Sequence, residues 1–174
     1  YRPFAHLLIV KQRALPLWLT AGAAGTAYSG RHLYFCKKGT PMVHQAEAHS
    51  TTTPYRVTLT DPQGHTWFGD EPADLGGGDS APNPMQVLLS ALGACTTVTV
   101  QMYAARKQWP LAGVRVALAL NPQGKPAAGN DIVRTVHLEG DLSAEQRERL
   151  LQIAEACPVH KLLTGEIRIA TQLS

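Results

Sequence analysis

The sequence is poor in cysteine and lacks long apolar stretches. Its 174 residues include three cysteines, Cys36, Cys95 and Cys157, which are too few and too far apart for a disulfide-stapled secreted module. No uninterrupted run of 18 apolar residues occurs, so we predict no membrane-spanning helix and no membrane partner. Internal repeats are also absent, which excludes a solenoid. With 44% hydrophobic residues, the chain is long enough for one globular domain, and its widely spaced thiols favour a cytoplasmic location.

Acidic residues are missing from the first 41 positions, and this absence divides the chain. Residues 1–41 carry six basic side chains, a charge of +6, whereas residues 42–174 hold 10 basic and 13 acidic side chains, a charge of −3. We therefore predict a basic leader or upstream extension with little order at 1–41, followed by one domain at 42–174. A transit peptide or secretory signal is an alternative for the leader. Cys36 lies within it and receives no role.

The net negative charge of residues 42–174 argues against a nucleic-acid partner. Nucleic-acid binding requires Lys and Arg side chains to neutralise phosphates, and the predicted domain has an excess of acids instead. We predict no nucleic-acid partner.

Apolar periodicity places the predicted elements of the domain. Alternation from Tyr55 to Thr60 and a return from His65 to Gly69, around the turn signal of residues 61–64, predict a hairpin. Asn83 and Pro84 predict the start of a long helix that ends near Lys107. Its predicted core-facing stripe comprises Leu88, Leu92, Cys95, Val98, Thr99 and Met102.

The second half of the domain repeats this mixture. Residues 114–120 and 132–138 predict two further strands, and Ser143 with Gln146 forms a capping-box pattern at the start of a second helix. A short helix or turn follows from Cys157, and residues 166–171 predict a last strand. The order of elements predicts an α+β fold in which helices pack on antiparallel strands.

Two cysteines are candidates for thiol chemistry. Cys95 lies about three turns inside the long helix, where it is either an inert core cysteine or a reactive thiol that requires a nearby cation. Cys157 precedes Pro158 as a predicted helix N-cap, a position that favours the thiolate, although a tight turn with an inert thiol is the alternative.

Other kinds of site find little support in the sequence. His160 follows Cys157 by three positions, but no further ligand has metal-site spacing, so we predict no metal. The three glycines at 76–78 lack the Lys-Ser/Thr of a phosphate loop, and we predict no cofactor.

Three segments together resemble the OsmC/Ohr family of osmotically induced and organic hydroperoxide resistance proteins. They are DEP with GGGD at 70–79, PNPMQVLLSALGAC at 82–95, and CPVHK at 157–161. The resemblance covers roughly residues 43–174 and is closest to the OsmC-like subgroup. It implies antiparallel strands wrapped around two long central helices in an intertwined homodimer.

The resemblance also implies a reaction. Cys95 would attack an organic hydroperoxide and become a sulfenic acid, Cys157 would resolve it as a disulfide, and a dithiol or lipoylated protein would act as reductant. Peroxide-reducing members usually carry a glutamate nine or ten residues before the first cysteine, paired with an arginine. Gln86 and Met85 occupy those positions here.

This departure leaves two functions open. The first function is a thiol peroxidase in which Gln86 and Arg134 support the cysteines. Arg56 and Arg115 are other candidate cations for it. The alternative is a non-catalytic protein that binds a small apolar ligand at the dimer interface.

Overall fold

A computed structural model of the chain describes residues 43–173. Nearly all of these belong to one compact unit, His44–Ser174, and its structure is given below. The predicted leader at 1–41, with Cys36, lies outside the described residues.

A three-stranded antiparallel sheet begins the described unit. It consists of β1 (Glu47–Ser50), β2 (Val57–Thr60) and β3 (Thr66–Gly69), in the order β1-β2-β3. The hairpin between β2 and β3 is confirmed, and its turn is fixed by Asp61, whose Oδ1 accepts hydrogen bonds from the backbone of Gln63 and His65. The sequence analysis missed β1, because its residues EAHS show no apolar alternation.

A loop organised around a buried carboxylate leads from β3 to the long helix. Asp70 is buried and accepts hydrogen bonds from the backbone N–H groups of Glu71, Gly78 and Ser80 and from the Ser80 hydroxyl. The hydrogen bonds from Ser80, foremost that of its hydroxyl, lower the pKa of Asp70 to about 2. At Gly77 a Cβ would collide with the carbonyl oxygen of Glu71, so the closed loop requires glycine there.

Helix α1 (Pro84–Lys107) begins at the predicted N-cap. The Asn83 side chain accepts from the Gln86 N–H at 2.9 Å, and Gln86 Oε1 accepts from the Asn83 N–H at 2.9 Å, which completes a capping box. By length and composition α1 is also apolar enough to span a membrane, but core helices of globular proteins meet the same two criteria. Its most apolar window has a mean hydropathy of 1.4 and is 22% buried within this chain.

The predicted core-facing stripe of α1 shares only Leu92 with the face that the chain buries. The positions that the chain buries are Leu92, Thr96, Val100 and Ala104. Three members of the predicted stripe, Leu88, Val98 and Met102, are exposed, at 40%, 51% and 48%. Because α1 is apolar on several sides, helical periodicity identifies the helix but does not decide which side packs within the chain.

A second antiparallel pair and a second helix pack against α1. Strands β4 (Leu111–Leu120) and β5 (Ile132–Gly140) form a hairpin and are longer than predicted. Helix α2 (Ala144–Glu155) starts at the predicted capping box of Ser143 and Gln146. The core cluster of the unit lies between these elements and α1, and comprises Val100, Ala104, Leu142, Leu150 and Ala154.

Helix α3 (Pro158–Thr164) follows with Cys157 as its N-cap, as predicted. The predicted strand at 166–171 is wrong. These residues have no strand conformation and their side chains are exposed, with Ile169 at 87%. An extended segment becomes a strand only beside a hydrogen-bonding partner, and within residues 43–173 no strand pairs with it. The α+β fold class is confirmed.

Candidate functional site

The two candidate cysteines meet where α1 contacts the start of α3. Both are free thiols, Cys95 half-buried and Cys157 buried. Although 62 positions separate them in the sequence, the Cys95 sulfur accepts the N–H of Val159 at 3.5 Å, two residues after Cys157, and the Cys157 sulfur lies 3.7 Å from the hydroxyl of Thr96, the neighbour of Cys95. The fold therefore brings together the pair that the sequence analysis selected.

Several polar groups surround Cys157. Its sulfur accepts from the backbone N–H of His160 at 3.3 Å and lies 3.7 Å from the Thr96 hydroxyl oxygen. Burial raises the pKa of the Cys157 thiol, but the His160 N–H, the Thr96 hydroxyl and the neighbouring Cys95 thiol lower it. Together with the positive charge of Arg134 they outweigh burial, and the pKa lies below its ordinary value.

Cys95 has fewer partners among the described residues. Its sulfur accepts one backbone hydrogen bond, from Val159 at 3.5 Å. Cys95 belongs to the middle of α1, where every backbone N–H is used within the helix, so α1 itself offers its sulfur no donor. The thiol is only half-buried, which makes it the more accessible of the two sulfurs in this chain.

Thr96 connects the pair to a cation. Its hydroxyl oxygen accepts a hydrogen bond from Arg134 Nη1 at 3.0 Å, and the hydroxyl donates to the Leu92 carbonyl at 2.8 Å. Thr96 is fully buried in α1 and Arg134 projects from the inner face of β5. The sequence analysis missed Thr96, whose only signal was its position four residues after Leu92 on the side of α1 that packs within the chain.

The other predicted site residues lie elsewhere in the chain. Gln86 is exposed, and its side chain accepts the Asn83 N–H in the capping box at the N-terminus of α1. This position lies about 13 Å along the helix axis from Cys95. Arg56 stacks on the Phe68 ring at 4.8 Å, and Arg115 is exposed on β4. Of the three candidate arginines, Arg134 alone hydrogen-bonds a residue that contacts the cysteine pair, within the part of the chain that is described.

A cavity of about 370 Å³ lies beside this cluster. Its apolar lining consists of Leu92, Ile132, Leu151 and Leu163. Arg134, Glu155, His160, Asn130 and Thr164 supply its polar lining. Arg134 borders the cavity and also bonds Thr96, whereas neither cysteine belongs to the cavity lining.

The donor set does not resemble a metal centre. Across residues 43–173, no three side chains of His, Cys, Asp or Glu gather closely enough to share an ion. The cluster contains two neighbouring sulfurs, a hydroxyl and a guanidinium. These groups are suited to thiol oxidation and disulfide formation.

Comparison with known proteins agrees with these features. The family model described as OsmC-like protein matches residues 76–172, a range that includes both cysteines, Thr96 and Arg134. The chain belongs to the OsmC/Ohr family. No curated protein sequence matches it.

Solved structures of OsmC/Ohr proteins share the fold. An organic hydroperoxide resistance protein OsmC from Legionella pneumophila is 22% identical with a TM-score of 0.54, over 73% of this chain and 93% of that chain. An OsmC-like protein from Mycoplasma pneumoniae is 18% identical with a TM-score of 0.61, over 72% and 90%. The organic hydroperoxide resistance protein OhrB of Bacillus subtilis is 20% identical with a TM-score of 0.50, over 71% and 92%.

Proposed function

We propose that this OsmC/Ohr protein reduces organic hydroperoxides with Cys95 and Cys157 as its redox pair. The observation that carries the proposal is that the fold brings the two thiols together: Cys157 lies 3.7 Å from the hydroxyl of Thr96, the residue next to Cys95, and the Cys95 sulfur accepts the N–H of Val159, two residues after Cys157. Cys95, the more accessible sulfur, attacks the peroxide oxygen and releases an alcohol. The buried Cys157 then attacks the sulfenic sulfur, which yields a disulfide and water.

The cavity supports an organic peroxide as the substrate. Its four aliphatic side chains suit an alkyl group, and it opens beside Arg134 in the same cluster as the thiols. A dithiol, free or on a lipoylated protein, would reduce the disulfide by thiol–disulfide exchange. Such a reductant is consistent with a cytoplasmic protein.

Peroxide turnover by single-cysteine variants tests this function. With dihydrolipoamide as reductant, we expect the wild type to consume cumene hydroperoxide and to form a Cys95–Cys157 disulfide, detected by peptide mass spectrometry. Cys95→Ser should lose turnover entirely, because no attacking sulfur remains. Cys157→Ser should form no intramolecular disulfide and should turn over more slowly, because only the external dithiol is left to reduce the sulfenic acid.

Cys36→Ser is the matched control, since it removes a thiol to which the mechanism assigns no role. It should retain wild-type turnover. Consumption of cumene hydroperoxide that persists in Cys95→Ser, or a wild type that consumes none, would contradict the proposed activity.

The cavity also favours a second candidate, a non-catalytic protein that binds a small apolar ligand. A volume of about 370 Å³ is large enough for such a ligand. This candidate predicts saturable binding of cumyl alcohol, the reduced form of the test peroxide, by a wild type that leaves cumene hydroperoxide intact.

We further propose that the protein acts as a homodimer. Apolar side chains exposed on α1 include Met85, Leu88, Val98 and Met102, and Ile167, Ile169 and Leu173 are exposed in the C-terminal segment. Large apolar side chains exposed in such numbers are typical of an interface. A second copy of α1 against the first would cover it and would supply the two central helices expected of the dimer.

A further inference from the structure

We propose that His160 is a catalytic residue of the peroxide reaction, the acid that donates a proton to the alcohol oxygen as the O–O bond breaks. This role rests on the proposed peroxide reduction, in which the departing alkoxide needs a proton. His160 belongs to the first turn of α3, three positions after Cys157.

The first turn of α3 contacts both sulfurs through consecutive backbone groups. The Val159 N–H donates to the Cys95 sulfur at 3.5 Å, and the His160 N–H donates to the Cys157 sulfur at 3.3 Å. His160 also lines the cavity of about 370 Å³, which neither cysteine lines. His160 therefore belongs to the wall between the sulfurs and the cavity.

The cavity borders the thiol cluster at two further points. Leu92 lines it, and the Leu92 carbonyl accepts the hydroxyl proton of Thr96. Arg134 lines it as well and donates to the Thr96 oxygen, and Thr96 is the neighbour of Cys95 in α1. A hydroperoxide whose alkyl group occupies the apolar part of the cavity would direct its O–O bond across this wall towards Cys95, with the alcohol oxygen beside His160.

The imidazole is the side chain of the cavity lining that is suited to donate this proton. The guanidinium of Arg134 does not release its proton, and a carboxylate such as that of Glu155 accepts hydrogen bonds in neutral solution. Asn130 and Thr164 are much weaker acids, and the other lining residues are aliphatic. Histidine exchanges protons near neutral pH and is the side chain that most often acts as an acid or base in enzymes.

The ring nitrogens of His160 are available to a molecule in the cavity. Within residues 43–173, the histidine rings that form hydrogen bonds are those of His49 and His65, each with a carboxylate. The half-buried ring of His160 has no such partner in this part of the chain, although Glu155 and Arg134 line the same cavity.

The proposed step conserves atoms and charge. The Cys95 thiolate, whose proton has passed to solvent, attacks the terminal peroxide oxygen with an electron pair of its sulfur. The O–O bond breaks, its electron pair stays on the alkoxide, and protonated His160 donates its proton to that oxygen. The products are the Cys95 sulfenic acid, the free alcohol and neutral His160, which regains a proton from solvent.

Two peroxides with different leaving groups test the role of His160. Cumene hydroperoxide releases an alkoxide, which needs a proton, whereas 3-chloroperoxybenzoic acid releases a carboxylate, which does not. The second-order rate constant is measured by stopped flow on the reduced protein and corrected for the reaction of Cys95→Ser. We expect His160→Gln to lower it about 100-fold for cumene hydroperoxide and to leave it within about threefold for the peracid, because general acid catalysis is lost for the alkoxide alone.

Lys161→Gln is the matched control. It introduces the same side chain one position later in α3, at an exposed residue outside the cavity lining, and both of its rate constants should equal those of the wild type. A disturbed cavity or a displaced cysteine would slow both peroxides alike. Equal losses for the two peroxides in His160→Gln, or an unchanged rate constant for cumene hydroperoxide, would therefore overturn the role of His160.

A solvent isotope measurement on the wild type tests the same step if His160→Gln does not fold. In D₂O the rate constant for cumene hydroperoxide should fall more than that for the peracid, and equal effects would contradict proton donation. The result is separable from the proposed function. A wild type that reacts with neither peroxide contradicts peroxide reduction itself, whereas a wild type that reacts with both, with equal losses in His160→Gln, contradicts the role of His160 alone.

Discussion

At the scale of single residues, Asp70 shows how one buried carboxylate organises a glycine-rich loop. Four donors converge on it, three from the backbone and one from the Ser80 side chain, and together they close residues 70–80 into one turn. Asp70 is ionised in this arrangement because each donor favours the charged form. The three glycines are visible in the sequence, but the central role of Asp70 is not, because the donors to Asp70 lie up to ten positions away.

The depressed pKa of Asp70 predicts acid sensitivity. In the folded protein it is about 2, below the ordinary value of about 3.9, so the carboxylate stabilises the fold above about pH 4 and this contribution is lost as the pH falls towards 2. We expect the urea midpoint of the wild type to fall more steeply over that range than the midpoint of Asp70→Asn. Urea unfolding followed by circular dichroism at a series of pH values measures both slopes.

Asp74→Asn is the control for this prediction, because it removes an exposed carboxylate from the same loop. Its midpoint should follow the wild-type pH dependence. Parallel pH profiles for the wild type and Asp70→Asn would show that the loop does not depend on the charged form.

At the scale of elements, the helix starts are where the sequence was most informative. Asn83 with Gln86 and Ser143 with Gln146 form complete capping boxes at the starts of α1 and α2. Caps are local, since the groups that pair lie within three positions of each other, and the sequence alone therefore predicts them.

Loss of the α1 cap should destabilise the protein without changing the thiols. Asn83→Ala removes the acceptor for the Gln86 N–H, and we expect a loss of about 1 kcal/mol in the free energy of unfolding, measured by urea denaturation. The rate of cumene hydroperoxide consumption by the folded protein should be unaltered, because Asn83 lies about 18 Å along the helix axis from Cys95.

Gln86→Glu is the matched comparison, since glutamate also completes a capping box. Its free energy of unfolding should stay within about 0.5 kcal/mol of the wild-type value. A change in the rate of cumene hydroperoxide consumption by Gln86→Glu would indicate that this position acts on the cysteines despite its distance from them in one chain.

Helix α1 also shows what local patterns do not decide. Its predicted stripe and its buried face differ because the helix carries apolar residues on several sides. The face that packs within the chain is chosen by β4 and α2, which arrive from later in the sequence.

At the scale of the whole molecule, the exposed face of α1 predicts self-association. We expect the wild type to sediment as a dimer and Val98→Glu to shift towards the monomer, because a charge at a buried dimer contact lacks a partner and is costly to desolvate. Analytical ultracentrifugation over a range of protein concentrations measures this equilibrium.

Val133→Glu is the control, since Val133 is also 51% exposed but belongs to the outer face of β5, among Thr135, His137 and Glu139. It should remain dimeric. A monomeric wild type, or two variants that dissociate alike, would contradict a dimer built on this face of α1.

Local features of this protein follow from its amino-acid sequence alone, namely the helix starts, the hairpins, the α+β class and the two cysteines with their family. These depend on neighbours a few positions apart or on motifs that can be read directly. Only the tertiary structure decided that Thr96 and Arg134 join the cysteines, that Gln86 is occupied at a helix start, and that residues 166–171 form no strand in one chain. Those outcomes depend on contacts between distant segments. Neither periodicity nor spacing encodes which apolar face of α1 packs within the chain or which arginine reaches the cysteine pair.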